Sequence, residues 1–210
     1  YEVQLASELR SLDLEGNKEK QAKIYDAAQR EAELIINRYN AAEKSIRPTA
    51  WMTYHLYYKA PDWIGPVVSK ALGVPYIISE ASYAAKHADG PWASNQSGVE
   101  WALKNADAVI TLTKRDIPGV KPLMNSNAEI FYLPPFLDNG GTQAIMQAGA
   151  VDFGSRQGLA TRYGLDPNKR WLLSVAMMRP GAKLASYQWL AKSLNVIGGD
   201  DWQLLIVGDG

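Results

Sequence analysis

Arg179 and Lys183 follow the apolar run from Trp171 to Val175. That run reads as a strand buried on both faces, because it is apolar and bounded by breakers. The two cations then sit where the chain leaves the carboxyl end of the strand, the side of an open α/β sheet where ligands collect. Gly181 and Ala182, between them, let the loop backbone come close to a bound molecule. An arginine fork beside a lysine point charge suits a phosphate or diphosphate. Two solvated cations on a surface loop would give the same spacing.

A second set of polar residues closes strands nearer the amino terminus. His55 ends an apolar strand reading from Ala50 to Leu56, which would place it at a cleft; a core histidine bonded to backbone is the alternative. Tyr57, Tyr58 and Lys59 follow on the same loop and can stack on or hydrogen-bond a bound molecule, or simply pack. Glu80 ends the strand reading from Tyr76 to Ser79 and can pair with Lys86. His87 and the Gly90-Pro91-Trp92 turn lie in a loop long enough for function, with His87 expected to be solvated. Trp63, Trp92 and Trp101 read as packing residues.

The elements that must position these groups alternate. Val3 to Ala6 reads as a short strand or a helix end. A helix fits Lys18 to Asn40, with Ile24, Ala28, Ala32, Ile35 and Tyr39 at helical spacing and Asn17 as its cap. Asp62 can cap a helix that holds Pro66 near its start and closes at Gly73. Further helices are read at Gly98 to Asn105, at Thr113 to Met124 with proline interruption, at Ser155 to Tyr163 before Gly164, and at Leu184 to Leu194. Strands are read at Ala108 to Leu112, Ile130 to Leu133 and Trp202 to Val207. Strands separated by helices imply crossovers and a parallel sheet.

Composition narrows the classes. Lys plus Arg and Asp plus Glu each number 22 in the 210 residues, so no basic excess points to nucleic acid. There is no cysteine, and two histidines cannot build a multi-histidine metal site. No apolar run approaches the roughly 20 residues of a membrane span. Asn95-Gln96-Ser97 matches a glycosylation sequon, with chance the expected cause.

Arg47 to His55, Ala106-Asp107-Ala108-Val109-Ile110 with Asp116, Leu133 to Asp138, Met177 to Leu184, and Ile206 to Gly210, in this order, resemble the retaining group 1 glycosyltransferases of the B-type fold, and Tyr57 to Pro66 is like a bacterial subgroup of them. The family has Gly before the Arg and Gly after the Lys, where this chain has Met178 and Leu184. Many relatives have a histidine where Glu80 stands.

The resemblance implies an α/β fold of two Rossmann-like domains with parallel sheets, both incomplete in these residues. Residues 1–135 would be an acceptor-side domain lacking its first strand, 136–154 a linker, and 155–210 the opening of a donor-nucleotide domain. The chain thus resembles a middle section, expected to be inactive by itself. The implied activity is transfer of a hexose from a nucleotide-diphosphate sugar, with retention. Arg179 and Lys183 would hold the donor diphosphate without a metal or other cofactor. Glu80 and His55 are the candidate catalytic residues; a carboxylate at Glu80 can bond a sugar hydroxyl or stabilise oxocarbenium charge. Tyr57, Tyr58 and Lys59 are acceptor-side candidates, for a glycan or a lipid-linked sugar. The setting implied is cytoplasmic, at the inner membrane face if the acceptor is lipid-linked. Two other readings stay open: a non-catalytic module binding nucleotide sugars or carbohydrate, and a sugar-nucleotide epimerase or phosphorylase.

Overall fold

The computed structural model describes residues 2–136 and 155–209. The chain divides into two compact units, Tyr1–Phe136 and Leu137–Gly210. Most of the expected linker therefore lies outside the described residues.

In the first unit, residues 2–13 run in irregular backbone, so the element expected at Val3 to Ala6 is not formed. Val3 and Leu5 stand exposed there, with no buried surface to favour a regular element. Helix α1 (Lys18–Ala41) follows, and the Asn17 side chain caps it by accepting from Lys20 N–H at 3.0 Å. Its stripe of Ala28, Ala32, Ile35 and Tyr39 is buried, as helical spacing requires. That stripe packs on Ile64 and on Val68 of α2 (Gly65–Leu72). Asp62 Oδ1 accepts from the Ile64 and Gly65 N–H groups at 2.9 and 2.8 Å. Gly73 then ends α2 in left-handed backbone, φ 66°.

Four strands, β1 (Trp51–Leu56), β2 (Tyr76–Ala81), β3 (Ala108–Thr111) and β4 (Glu129–Tyr132), pair in parallel in that order. Helices α3 (Ala93–Asn105) and α4 (Ile117–Val120) occupy the crossovers after β2 and β3. Helix α3 starts well before the expected Gly98. Its first turns are polar and small, and Trp92 at the cap position makes no side-chain cap bond, so no local signal marks the start. A tertiary contact holds it instead: Gln96, buried, donates from Nε2 to the Ala84 carbonyl at 3.1 Å.

The core lies between the helices and one sheet face. Thr53, Ile78, Val109 and Ile130 are in register across the sheet, and Ile78 and Val109 pack against Val99, Ala102 and Leu103 of α3. Met52, Tyr54 and Phe131 on the other face are exposed. Gly98 lets α3 approach an indole, because a Cβ there would lie 2.4 Å from the Trp63 ring.

The second unit holds α5 (Arg156–Tyr163), β5 (Arg170–Val175), α6 (Ala182–Ile197) and β6 (Trp202–Val207). Ser155 Oγ accepts from Gly158 N–H at 2.9 Å, and Gly164 closes α5 at φ 64°. β5 and β6 pair in parallel along their whole length. The reading of β5 as buried on both faces is corrected: Leu173 is 65% and Val175 69% exposed. Among the described residues its sheet has two strands, too few to bury both faces of either one.

Candidate functional site

Pairing of Tyr54 with Ser79 and of Leu56 with Ala81 sets His55 beside Glu80 at the carboxyl edge of β1 and β2. Both residues adopt left-handed backbone, at φ 67° and 61°, the positive-φ non-glycine residues among the described ones. That conformation costs an L-residue about 1–2 kcal/mol. Such strain persists where the surroundings enforce it, and it gathers at functional sites.

His55 Nδ1 lies 3.6 Å from Glu80 Oε2, within ion-pair range for an imidazolium and beyond hydrogen-bond length. The His55 side chain is 49% exposed, so it is not a core histidine. Glu80 pairs with His55 rather than with Lys86, a correction that follows from strand register. Tyr54, which the sequence reading passed over, joins them. A hydrogen bond to Glu80, then its negative charge, holds the Tyr54 phenol above its ordinary pKa.

Behind this pair the chain turns sharply. Ala60 N–H donates to the Tyr57 carbonyl at 2.9 Å, and Asp13 N–H donates to the Lys59 carbonyl at 2.8 Å. Rings then run in series from His55 to Tyr57 at 4.8 Å, to Tyr58 at 5.8 Å, and to His87, stacked on Tyr58 at 3.7 Å. Trp92 meets Tyr58 edge-on at 5.5 Å. Tyr58 is therefore packed, and His87 is half-buried instead of solvated. Burial first, then the charges of Lys86 and Lys59, holds the His87 imidazole below its ordinary pKa. The Tyr58–His87 contact joins two loops far apart in sequence, which no local pattern marks.

Asp62 supports the site from beneath. Its Oδ2 accepts from the Tyr76 hydroxyl at 2.7 Å and from Thr53 Oγ1, tying β1 to β2. Burial, then Asp62, holds the Tyr76 phenol well above its ordinary pKa.

In the second unit Arg179 lies in the loop after β5, whereas Lys183 stands in the first turn of α6. The expected loop ends at Gly181, whose φ of 95° turns the chain into the helix. Met178 N–H donates to the Asp209 carbonyl at 2.8 Å, and Leu184 N–H to the Arg179 carbonyl at 3.0 Å. The Tyr187 hydroxyl donates to the Ala176 carbonyl at 2.8 Å and anchors α6 to the end of β5. Both cations are exposed, and neither has a carboxylate at ion-pair distance among the described residues. They flank a helix amino terminus, an arrangement that favours anions.

Among the described residues no three His, Asp or Glu side chains group to hold a metal ion, and no helix is long and apolar enough to cross a membrane. Asn95 of the sequon is 2% exposed. Trp63 packs on Tyr25 at 5.0 Å and on Trp101 at 6.2 Å.

No family model and no curated protein sequence matches the chain. Among solved structures, it is similar to α,α-trehalose 6-phosphate synthase from Burkholderia multivorans, with TM-score 0.54 and 12% identity over 89% of this chain and 43% of that one. Arabidopsis thaliana UGT89C1 complexed with UDP aligns at TM-score 0.46 and 14% identity, over 82% of this chain and 40% of that one. The same protein with UDP-L-rhamnose aligns at 0.48 and 13%, over 97% and 52%. The chain spans about half or less of each of these proteins. The likeness to the synthase shows the fold: α/β with parallel sheets, the two-unit Rossmann-like architecture of the B-type glycosyltransferases.

Proposed function

We propose that the protein serves glycosyl transfer, moving a hexose from a nucleotide-diphosphate sugar to an acceptor with retention, as a group 1 glycosyltransferase. The observation that carries this reading is the His55–Glu80 pair, held in left-handed backbone at the ends of neighbouring parallel strands. Ligands collect at that edge of a parallel sheet, and strain retained there supports a functional role.

In this reading Glu80 is the carboxylate that stabilises positive charge developing on the sugar ring or bonds one of its hydroxyls. His55 sits beside it as a polar group toward the acceptor, and the Tyr54 phenol senses the same carboxylate. Arg179 and Lys183 take the donor diphosphate, the fork and the point charge offsetting its negative charge without a metal. The amino terminus of α6 adds N–H donors aimed at the same anion. A cytoplasmic setting goes with this reading and is in keeping with a chain without cysteine.

Calorimetric titration with UDP- and GDP-sugars tests the proposal. Binding that weakens in Arg179→Ala supports it. Binding to free saccharides alone would favour a carbohydrate-binding module instead.

A further inference from the structure

Lys59 is a half-buried cation with no carboxylate at ion-pair distance among the described residues. It does not dangle from a loose loop. Its turn is closed by the Tyr57–Ala60 bridge, and its carbonyl is fixed by Asp13 N–H. Its Nζ lies 5.4 Å from the centroid of the Trp92 ring and 5.7 Å from that of Tyr58. Aromatic faces attract an ammonium but carry no net charge, so its field stays uncompensated. The carboxylate of Asp13, whose backbone meets that of Lys59, is taken up by Gln21 Nε2 at 2.7 Å and by the N–H groups of Glu15 and Asn17.

We propose that Lys59 is the counter-charge for an anionic group, a phosphate, carried by the saccharide acceptor that approaches the His55–Glu80 edge. This deepens the acceptor-side reading given above and rests on it. Tyr57 stands between the two places: its ring is 4.8 Å from His55 and 5.8 Å from Tyr58, over whose ring Lys59 Nζ lies at 5.7 Å. Lys86 adds a second positive charge near His87, consistent with the depressed imidazole pKa there. His87 is thereby a built-in reporter, because an anion bound at Lys59 must raise its pKa.

The experiment is a proton NMR titration of the two histidines, with inorganic phosphate, a hexose monophosphate and the free hexose as probes. In the unaltered protein both phosphates should raise the His87 pKa, with the hexose monophosphate bound more tightly than phosphate; the free hexose should leave the His87 pKa unchanged. Lys59→Met, which keeps the stem and removes the charge, should weaken phosphate binding about tenfold, and should raise the His87 pKa before any anion is added. Lys59→Arg should bind nearly as the parent does. An unchanged phosphate response in Lys59→Met, or no response in the parent, overturns the proposal. A thermal melt of Lys59→Met matching the parent shows that the loss is not unfolding. Donor titrations stand apart: absent nucleotide-sugar binding with an intact phosphate response sinks the transferase reading and leaves the anion site.

Discussion

Glu80 Oε2 lies 3.6 Å from His55 Nδ1, and each residue stands on a left-handed backbone position at the end of its strand. If the strain is borne by the backbone for the sake of the side chains, glycine should relieve it where alanine cannot. His55→Gly should be more stable to denaturant than His55→Ala by about 1 kcal/mol, and Glu80→Gly than Glu80→Ala by a similar amount. Elsewhere in a strand glycine is the weaker choice of the two. Equal stability within each pair would show that no strain is stored at this edge.

The charge of Glu80 should be legible at Tyr54. Because a hydrogen bond to Glu80 and then its charge raise the Tyr54 phenol, Glu80→Gln should lower that pKa toward its ordinary value near 10.0. Tyrosine-resolved NMR titration reads this directly. An unmoved Tyr54 would place the carboxylate away from the hydroxyl.

How far these relationships could be read from the chain depends on their range. Asn17, Gly73 and Gly164 mark helix ends by local chemistry, and all three act where that chemistry puts them. The strand Trp202–Val207 is found at the expected residues, since apolar run and flanking breakers agree. The start of α3 carries no such mark, and its anchor at Gln96 is tertiary. His55 and Glu80 could each be suspected as strand ends. Their meeting required the register of β1 on β2, and the part of Tyr54 followed only from that pairing. The stacking of His87 under Tyr58 is likewise a contact between separate loops. Lys183 reads as a loop residue because the apolar helical pattern is read from Leu184, whereas Gly181 caps a helix that begins at Ala182.

Acid should destabilise the fold in two stages. Burial, Lys86 and Lys59 hold the folded His87 pKa below 6.5, so the unfolded chain binds more protons in that range. The stability this group contributes is present above about 6.5 and is lost as pH falls through the folded value. Burial alone would raise the Asp13 carboxyl. Hydrogen bonds from the Gln21 side chain and from Glu15 and Asn17 outweigh it and hold the pKa below 3.8. Its contribution is present above that value and is lost below it. Denaturant titrations at stepped pH should show both losses, with the upper one missing in His87→Gln. An identical slope between pH 5 and 7 in that variant would contradict the His87 assignment.

Helix α3 depends on the missing side chain at Gly98. A methyl group there would lie 2.4 Å from the Trp63 indole, itself wedged against Tyr25 and Trp101. Gly98→Ala should cost roughly 1–3 kcal/mol by overpacking, despite its better helix propensity. Urea unfolding measures this, and a stabilised variant would show that the indole moves aside freely.

The most direct test of the functional account is calorimetric titration of nucleotide sugars into the protein and its Arg179→Ala and Lys183→Ala variants. Hydrogen bonds to charged groups contribute about 1.5–3 kcal/mol, so each substitution should weaken donor affinity by roughly one to two orders of magnitude. Arg179→Lys should recover part of it, because an ammonium cannot reproduce the bidentate fork. Stability should stay within about 0.5 kcal/mol, both side chains being exposed. Affinity for UDP- or GDP-sugars falling in both alanine variants is the result the account predicts. Variants that bind as the parent does, or a parent that binds no nucleotide sugar, would contradict it.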